Sequence, residues 1–243
     1  MCKCNNKFRD DKLHHECGVL GIYGVEDAAG LAYYGLHALQ HRGQQGCGIV
    51  TVGPSGEFHR VKGDGLVSEV FNEQKMEKLP GRMAIGHVRY SADGEQDVLN
   101  AQPLVSRYIK GPLAVATNGT LTNYHELKRQ LEQEGAIFQT TNESEIIMHL
   151  LARARMETGR VETGLAKIMK TQLRGAYALV MMSPQKLIAC RDPKGMKPLC
   201  MGKIENSYVF ASETCALDTV RAEFVRELDP GEIVIVDVNG VRT

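Results

Sequence analysis

The sequence predicts an α+β fold in which two mostly antiparallel β-sheets are covered by helices on their outer faces. Short apolar runs separated by turn residues dominate both ends of the chain, and helical patterns occupy the middle. Most connections between the apolar runs are too short to contain a crossover helix, which favours antiparallel pairing. An apolar sheet face needs a further layer to cover it, so we expect the helices outside the sheets.

Ten segments have the composition of strands and are bounded by residues that favour turns. They are residues 18–23, 48–52, 57–61, 83–90, 113–117, 176–182, 186–190, 199–203, 207–211 and 232–238. After the last of them, Asn239 and Gly240 stand between alternating valines, a pattern typical of a tight hairpin turn.

The first predicted helix begins after Asp27, whose side chain can cap its amino terminus, and it ends before the glycine-containing segment 41–48. Helical spacing predicts that one face of this helix is buried, and that this face consists of Leu31, Tyr34, Gly35, Ala38 and Leu39.

Three more helices are predicted in the middle of the chain. Asn123 with Glu126, and Asn142 with Glu145, have the spacing of capping boxes, each followed by an apolar helical face. Gly135 ends the first of these helices, and a third helix is expected at about residues 163–173.

Composition narrows the class of function. The chain has 243 residues, and its 29 basic and 29 acidic residues cancel, so neither nucleic acid nor an anionic membrane surface is expected as a partner. It has neither the apolar segment of a secretory signal nor a membrane-spanning run, which predicts a cytoplasmic protein. Its seven scattered cysteines are typical of reduced thiols, and Cys2 and Cys4 have no second pair at zinc-site spacing, so no metal site is predicted.

The segment 83–90 carries a charged side chain on an apolar face. In an extended strand Arg89 shares a face with Met83, Ile85 and His87. A buried guanidinium needs a carboxylate, which either an internal ion pair or a bound ligand can supply, and the residues leave both open. His87 alone is interpreted as a hydrogen-bonded core residue.

Three other positions have both a structural and a chemical interpretation. Asn118 and Gly119 end an apolar strand, where they can form a turn or supply two converging donors to an oxyanion. Glu143 begins a helix, where it can complement the helix dipole or hold a ligand ammonium. Cys17 follows a polar leader and precedes the first strand, so it is either a small core residue or the nucleophile with which the working protein begins.

Six motifs, taken together and in order, resemble those of class II glutamine amidotransferases: CGVLGIYG, HRGQQGCGI, GHVRYS, NGTLTN, RDPKGMKPL and ASETCALD. HRGQQ and the last two motifs are similar to those of the amidophosphoribosyltransferase branch of this family. The resemblance covers about residues 16–240 of the chain.

This resemblance implies an N-terminal-nucleophile hydrolase fold, a four-layer αββα sandwich with mostly antiparallel sheets. It also implies hydrolysis of L-glutamine to glutamate and ammonia by Cys17, with residues 1–16 as a propeptide and residues 17–243 as the glutaminase domain. Removal of the propeptide would free the α-amine of Cys17, which has a reference pKa of about 7.7 to 8 and suits a base at neutral pH.

The roles of the other site residues are likewise implied by the resemblance. Arg89 would bind the α-carboxylate of glutamine, Asn118 and the Gly119 N–H would form the oxyanion hole, and Glu143 would bind the substrate ammonium. Two positions depart from the family pattern. Ala92 stands where threonine is common, and Glu143 replaces an aspartate and reaches about one methylene further, which affects the expected affinity for glutamine.

Amidophosphoribosyltransferases continue into a phosphoribosyltransferase domain that receives the ammonia, and this chain ends where that domain would begin. The resemblance therefore predicts a phosphoribosyltransferase domain or subunit as acceptor, a homo-oligomer, and no cofactor in this domain. Two alternatives stay open: a glutaminase subunit that serves a different acceptor, and a non-catalytic glutamine-binding or assembly module, which Ala92 and Glu143 motivate.

Overall fold

A computed structural model describes residues 17–90 and 97–243 of the chain. The predicted propeptide and Ala92 lie outside the described residues, so the expectations for them stay predictions.

The strands are β1 (Gly18–Tyr23), β2 (Gly46–Val52), β3 (Phe58–Asp64), β4 (Met83–Arg89), β5 (Leu104–Tyr108), β6 (Gly111–Leu121), β7 (Gly175–Ser183), β8 (Lys186–Arg191), β9 (Cys200–Ile204), β10 (Ser207–Ala211), β11 (Glu223–Glu227), β12 (Ile233–Asp237) and β13 (Gly240–Arg242). The helices are α1 (Ala28–Ala38), α2 (Val67–Val70), α3 (Glu73–Met76), α4 (Tyr124–Gln133), α5 (Glu143–Thr158), α6 (Val161–Thr171) and α7 (Thr214–Thr219), with a 3-10 turn at Gln40–Arg42.

These strands form two sheets. The seven-stranded sheet has the order β11-β9-β10-β1-β4-β2-β3, and the six-stranded sheet has the order β13-β12-β8-β7-β6-β5. Each strand pair in the described ranges is antiparallel. All ten predicted strands are present, β1 and β10 with the predicted bounds and the other eight with shifted ends, and β12 and β13 form the predicted hairpin.

Alternation along the strands divides the core into three buried clusters. In β1, Val19 faces the space between the two sheets, whereas Leu20 packs on the helical side with Leu36 of α1. The third cluster lies between the six-stranded sheet and α4, α5 and α6, and includes Ile147 and Leu179. Helix, sheet, sheet and helix therefore form four layers, and the predicted αββα sandwich is confirmed.

The predicted face of α1 is partly wrong. Tyr34 is 58% exposed, whereas Leu36, which the prediction left out, is fully buried. The helix lies so close to β1 that a Cβ added at Gly35 would come within 2.7 Å of Leu20. Small residues allow this approach and a tyrosine does not, so close packing decides which face is buried.

The two predicted capping boxes have different outcomes. The side chain of Asn142 accepts the Ser144 N–H at 2.9 Å and caps α5. The reciprocal bond of the predicted box is not formed, because Glu145 accepts the Gln139 and Thr140 N–H groups instead of that of Asn142. The side chain of Asn123 makes no capping bond to α4 and instead bridges the Gln172 carbonyl and the Arg174 N–H, at 2.8 and 3.2 Å. A partner distant in sequence replaces the local cap.

Candidate active site

The described chain has a cavity of about 360 Å³ at the end of the sandwich where β1 begins and β4 ends. All five predicted site residues line it: Cys17, Arg89, Asn118, Gly119 and Glu143. The other lining residues are Tyr90, Asn100, Gln102, Thr117, Thr120, Thr141, Asn142 and Lys197. Residues from the start of β1, the end of β4, the interior of β6 and the start of α5 therefore converge on one space.

Cys17 lies directly before β1, level with the end of β4, because Gly18 pairs with Val88. The N–H of Tyr90 donates to Sγ of Cys17 at 3.4 Å, and the thiol lies 3.6 Å from the Tyr90 carbonyl oxygen. The thiol is thus held by backbone groups at the end of β4.

The charge of this thiol depends on opposing influences. Burial, the largest of them, raises the pKa of Cys17 above its ordinary value, and the carboxylate of Glu143 acts in the same direction. The hydrogen bond with Tyr90 and the charge of Arg89 lower the pKa, but they do not outweigh burial. A base is needed to generate the thiolate at neutral pH.

The backbone of Cys17 is held from a second side. Nε of Arg42 donates to the Cys17 carbonyl oxygen at 3.1 Å, and the same guanidinium pairs with the carboxylate of Glu213. His41 also contacts Glu213, at 3.0 Å. The HRGQQ and ASET segments, far apart in sequence, therefore meet beside Cys17.

Arg89 and Glu143 bring opposite charges to the cavity. Arg89 ends β4, and its Nη1 lies 3.5 Å from the carbonyl oxygen of Asp97. Glu143 is the first residue of α5, and burial raises the pKa of its carboxyl group. A cavity lined by both groups matches the two charges of a zwitterionic ligand.

Asn118 and Gly119 lie within β6, so the alternative that they form a turn is wrong. Asn118 is fully buried, and neither its side-chain oxygen nor its nitrogen has a hydrogen-bond partner among residues 17–90 and 97–243. Gly119 has a φ of +136°, and a Cβ at this position would lie 2.0 Å from the Ala176 oxygen. A buried, unbonded amide beside the cavity suits a ligand, because such groups are otherwise paired.

Several cavity residues have side chains that sequence reasoning did not identify. Gln102 accepts the Thr117 N–H at 2.8 Å and the Ser144 hydroxyl at 2.7 Å. Asn100 accepts the Thr141 N–H at 3.0 Å and so contacts the loop before α5. The only signal in the sequence is a pair of amide residues inside an apolar segment, LNAQPL, which does not reveal their distant partners.

His87 has the core role that the sequence indicated. It is fully buried, and its Nε2 lies 3.1 Å from the carbonyl oxygen of Thr117 in the opposite sheet. Burial lowers the pKa of His87 to about 3. The imidazole is therefore neutral at physiological pH and donates through Nε2 to the carbonyl.

One group of potential metal ligands occurs among the described residues. A side-chain atom from each of His41, Glu213 and Cys215 lies within 4.8 Å of the others. Both Glu213 oxygens already have partners, in Arg42 and His41. This group is an ion-pair cluster beside the cavity.

The comparison with known families agrees with this geometry. A family described as a glutamine amidotransferase domain matches residues 87–219, more than half of the chain. Amidophosphoribosyltransferase 1, chloroplastic, of Arabidopsis thaliana is 49% identical over 98% of this chain and 42% of its own length. The amidophosphoribosyltransferase of Bacillus subtilis (strain 168) is 45% identical over 95% of this chain and 48% of its own. The chain thus spans about half the length of the curated relatives it matches.

Solved structures are similar as well. The structure of the allosteric regulatory enzyme of purine biosynthesis has a TM-score of 0.88 and 43% identity, and covers 93% of this chain and 48% of that one. Glutamine phosphoribosylpyrophosphate amidotransferase from B. subtilis, complexed with ADP and GMP, has a TM-score of 0.86 at 43% identity and the same coverage. A class-II domain protein from Silicibacter pomeroyi, 13% identical with a TM-score of 0.58, shows the fold alone.

The two-sheet sandwich and the cavity at the start of β1 define a domain of the N-terminal-nucleophile amidotransferase class. The chain belongs to the family of glutamine amidotransferase domains, and its relatives within that family are the amidophosphoribosyltransferases. The family indicated by the six motifs is confirmed. None of the described helices combines the length and apolarity that a membrane crossing requires.

Proposed function

We propose that this domain hydrolyses the side-chain amide of L-glutamine to glutamate and ammonia, with Cys17 as the nucleophile. The observation that carries the proposal is the buried amide of Asn118, which has no partner among the described residues and lies on the same cavity as the thiol. Family membership supports the same chemistry.

The reaction divides into two halves. The α-amine of Cys17 takes the thiol proton, and sulfur attacks the amide carbon to give a tetrahedral oxyanion. Donors from Asn118 Nδ2 and the Gly119 N–H stabilise this oxyanion. The protonated amine then gives its proton to the leaving nitrogen, ammonia departs, and water delivered through the same amine hydrolyses the γ-glutamyl thioester.

Removal of residues 1–16 is part of the proposal. While Cys17 is joined to Glu16, its nitrogen is an amide that cannot accept a proton. Burial raises the pKa of the thiol, so the sulfur needs this base to become nucleophilic. Cleavage before Cys17 would create the base at the nucleophile itself.

Substrate recognition is assigned to the two charges of the cavity. Arg89 would hold the α-carboxylate through its planar fork, and Glu143 would hold the α-ammonium. The volume of about 360 Å³ is in the range of pockets for small ligands. Together these contacts would place the amide carbon of glutamine at the Cys17 sulfur.

The destination of the ammonia is also proposed. The B. subtilis structure is named as a phosphoribosylpyrophosphate amidotransferase, and the chain spans about half of such relatives. We therefore assign a phosphoribosyltransferase domain or subunit as the acceptor, in a homo-oligomer that serves purine biosynthesis. The proposed compartment is the cytoplasm, although the Arabidopsis relative is named as chloroplastic; cell fractionation tests the location.

Two measurements on one preparation test the nucleophile. Intact-mass analysis should find protein that begins at Cys17, and an electrophilic glutamine analogue should add to that residue. The Cys17→Ala variant should take up no label, whereas Cys215→Ala, which removes another half-buried thiol, should label normally. Processed protein in which the analogue fails to label Cys17 would contradict the proposal. Protein that always retains residues 1–16 would favour a glutamine-binding module.

A further inference from the structure

Within residues 17–90 and 97–243, no strand pairs with the last part of β6 on its outer side. β5 pairs with β6 only up to Leu104 opposite Val115, yet β6 continues to Leu121. The backbone of Thr117 is nevertheless buried and needs hydrogen bonds on that side.

One side-chain amide reaches both backbone groups that a neighbouring strand would bind, and His87 of the other sheet shares the carbonyl oxygen at 3.1 Å. Oε1 of Gln102 accepts the Thr117 N–H at 2.8 Å, and Nε2 of Gln102 lies 3.3 Å from the Thr117 carbonyl oxygen. Gln102 is buried, at 4% exposure, so water does not compete for these bonds. The amide takes the place of a peptide unit of the missing strand.

The same oxygen of Gln102 reaches α5. It accepts the Ser144 hydroxyl at 2.7 Å, and the Thr117 hydroxyl lies 2.7 Å from that of Ser144. Since Ser144 donates its one proton to Gln102, Thr117 must donate to Ser144, which fixes the direction of the network. Ser144 directly follows Glu143, so Gln102 connects β6 with the start of this helix.

Asn118 depends on this backbone for its position. Its side chain makes no hydrogen bond to any described residue, so only packing and the path of β6 direct its amide towards the cavity. The N–H of Gly119 points to the same side as that of Thr117, because alternate residues of a strand share an edge. Hydrogen bonds that hold the Thr117 backbone in place therefore also hold the two proposed oxyanion donors, the Asn118 amide and the Gly119 N–H.

We infer that Gln102 is a positioning residue: its side-chain amide replaces a missing strand beside Thr117 and holds Asn118 and Gly119 in the geometry of an oxyanion hole. The inference rests on the function proposed above. Gln102 acts through the backbone of β6 and takes no part in bond making.

The test compares two variants of the processed domain. Gln102→Met keeps the shape and removes every hydrogen bond of the amide, so kcat for glutamine hydrolysis should fall about tenfold or more with a smaller change in KM. Ser144→Ala leaves the bonds between the Gln102 amide and the Thr117 backbone, and it removes the hydroxyl that links Gln102 and the Thr117 side chain to α5. It should raise KM several-fold and leave kcat within about twofold, because binding rather than the transition state is affected.

Alkylation by iodoacetamide separates positioning from misfolding. The reaction needs the Cys17 thiol but no oxyanion donor, so Gln102→Met should alkylate at the wild-type rate while its kcat is low. If that variant does not fold, Gln102→Glu keeps the acceptor for Thr117 N–H and loses the donor, and a smaller fall in kcat is expected. A folded Gln102→Met with wild-type kcat, or parallel losses of kcat and alkylation, would overturn the inference. Wild-type protein without glutaminase activity would instead refute the proposed function.

Discussion

Nε2 of His87 lies 3.1 Å from the carbonyl oxygen of Thr117, the residue before Asn118. A side chain of the seven-stranded sheet therefore binds the backbone of the six-stranded sheet. The pKa of His87 falls from 6.5 to about 3 in the folded protein because the ring is buried. The unfolded chain therefore binds a proton at a higher pH than the folded chain does.

His87 should make the protein less stable as the pH falls from about 6.5 towards 3, where only the unfolded state gains the proton. The free energy of unfolding should drop by up to about 1.4 kcal/mol per pH unit from this group. In His87→Gln, where the amide can still donate, this slope should be absent in urea unfolding. His125→Gln, which changes an exposed histidine, should keep the slope; an unchanged slope in His87→Gln would refute the assignment.

Asn118→Ala should separate activity from stability. Loss of one oxyanion donor should lower kcat by about a hundredfold or more. Because the amide has no partner among the described residues, the free energy of unfolding should change by less than about 1 kcal/mol. Asn100→Ala is the matched control: its amide is bonded to Thr141 and Asp97, and it should cost about 1 to 3 kcal/mol. Equal destabilisation by the two variants would show that Asn118 is bonded in solution.

Gly119→Ala should destabilise the fold strongly. The added Cβ would lie 2.0 Å from the Ala176 oxygen at a φ of +136°, so β6 and β7 would have to separate locally. A loss of about 3 kcal/mol or more is expected in urea unfolding. Gly111→Ala, in the same strand and also at positive φ but with nothing within 4 Å, should cost only about 1 to 2 kcal/mol. Similar losses would mean that the backbone conformation, and not the close contact, requires glycine.

Thr51→Val should stabilise the protein by about 0.5 to 1 kcal/mol. Thr51 is fully buried in β2, and its hydroxyl has no partner within the described ranges, so a methyl group removes a desolvation cost at equal volume. Thr117→Val removes a hydroxyl that is bonded to Ser144 and should lower stability by about 1 kcal/mol. Thermal unfolding of both variants gives the comparison, and a destabilised Thr51→Val would indicate an unseen partner.

Sequence patterns predicted the central strands better than the edge strands. β1, β4 and β10 are apolar because both faces are covered, and each was predicted near its observed bounds. β5 and β11 were missed because both are edge strands of mixed composition, and β11 exposes most of its residues. An edge strand pairs on one side only, and its side chains are less covered than those of a central strand. Its apolar pattern is therefore weak, and its pairing is evident only once the neighbouring strand is placed.

The sequence likewise predicted only part of the candidate site. Residues that would touch glutamine, such as Cys17 and Arg89, lie in short motifs with recognisable chemistry. Gln102 and Ser144 do not, because their importance comes from bonds between segments far apart in sequence. No local pattern distinguishes an amide that replaces a strand from one in a loop.

The central place of β1 has a consequence for synthesis on the ribosome. Leu20 of β1 pairs with Ala211 of β10 on one side of the strand and with Gly86 of β4 on the other side. At translation rates of about 5 to 20 residues per second, β1, which follows the proposed nucleophile, waits about 10 to 40 s for its second neighbour. Until β10 has left the exit tunnel, this strand has an open edge, so the end of the sandwich that holds the cavity closes only after synthesis has passed Ala211.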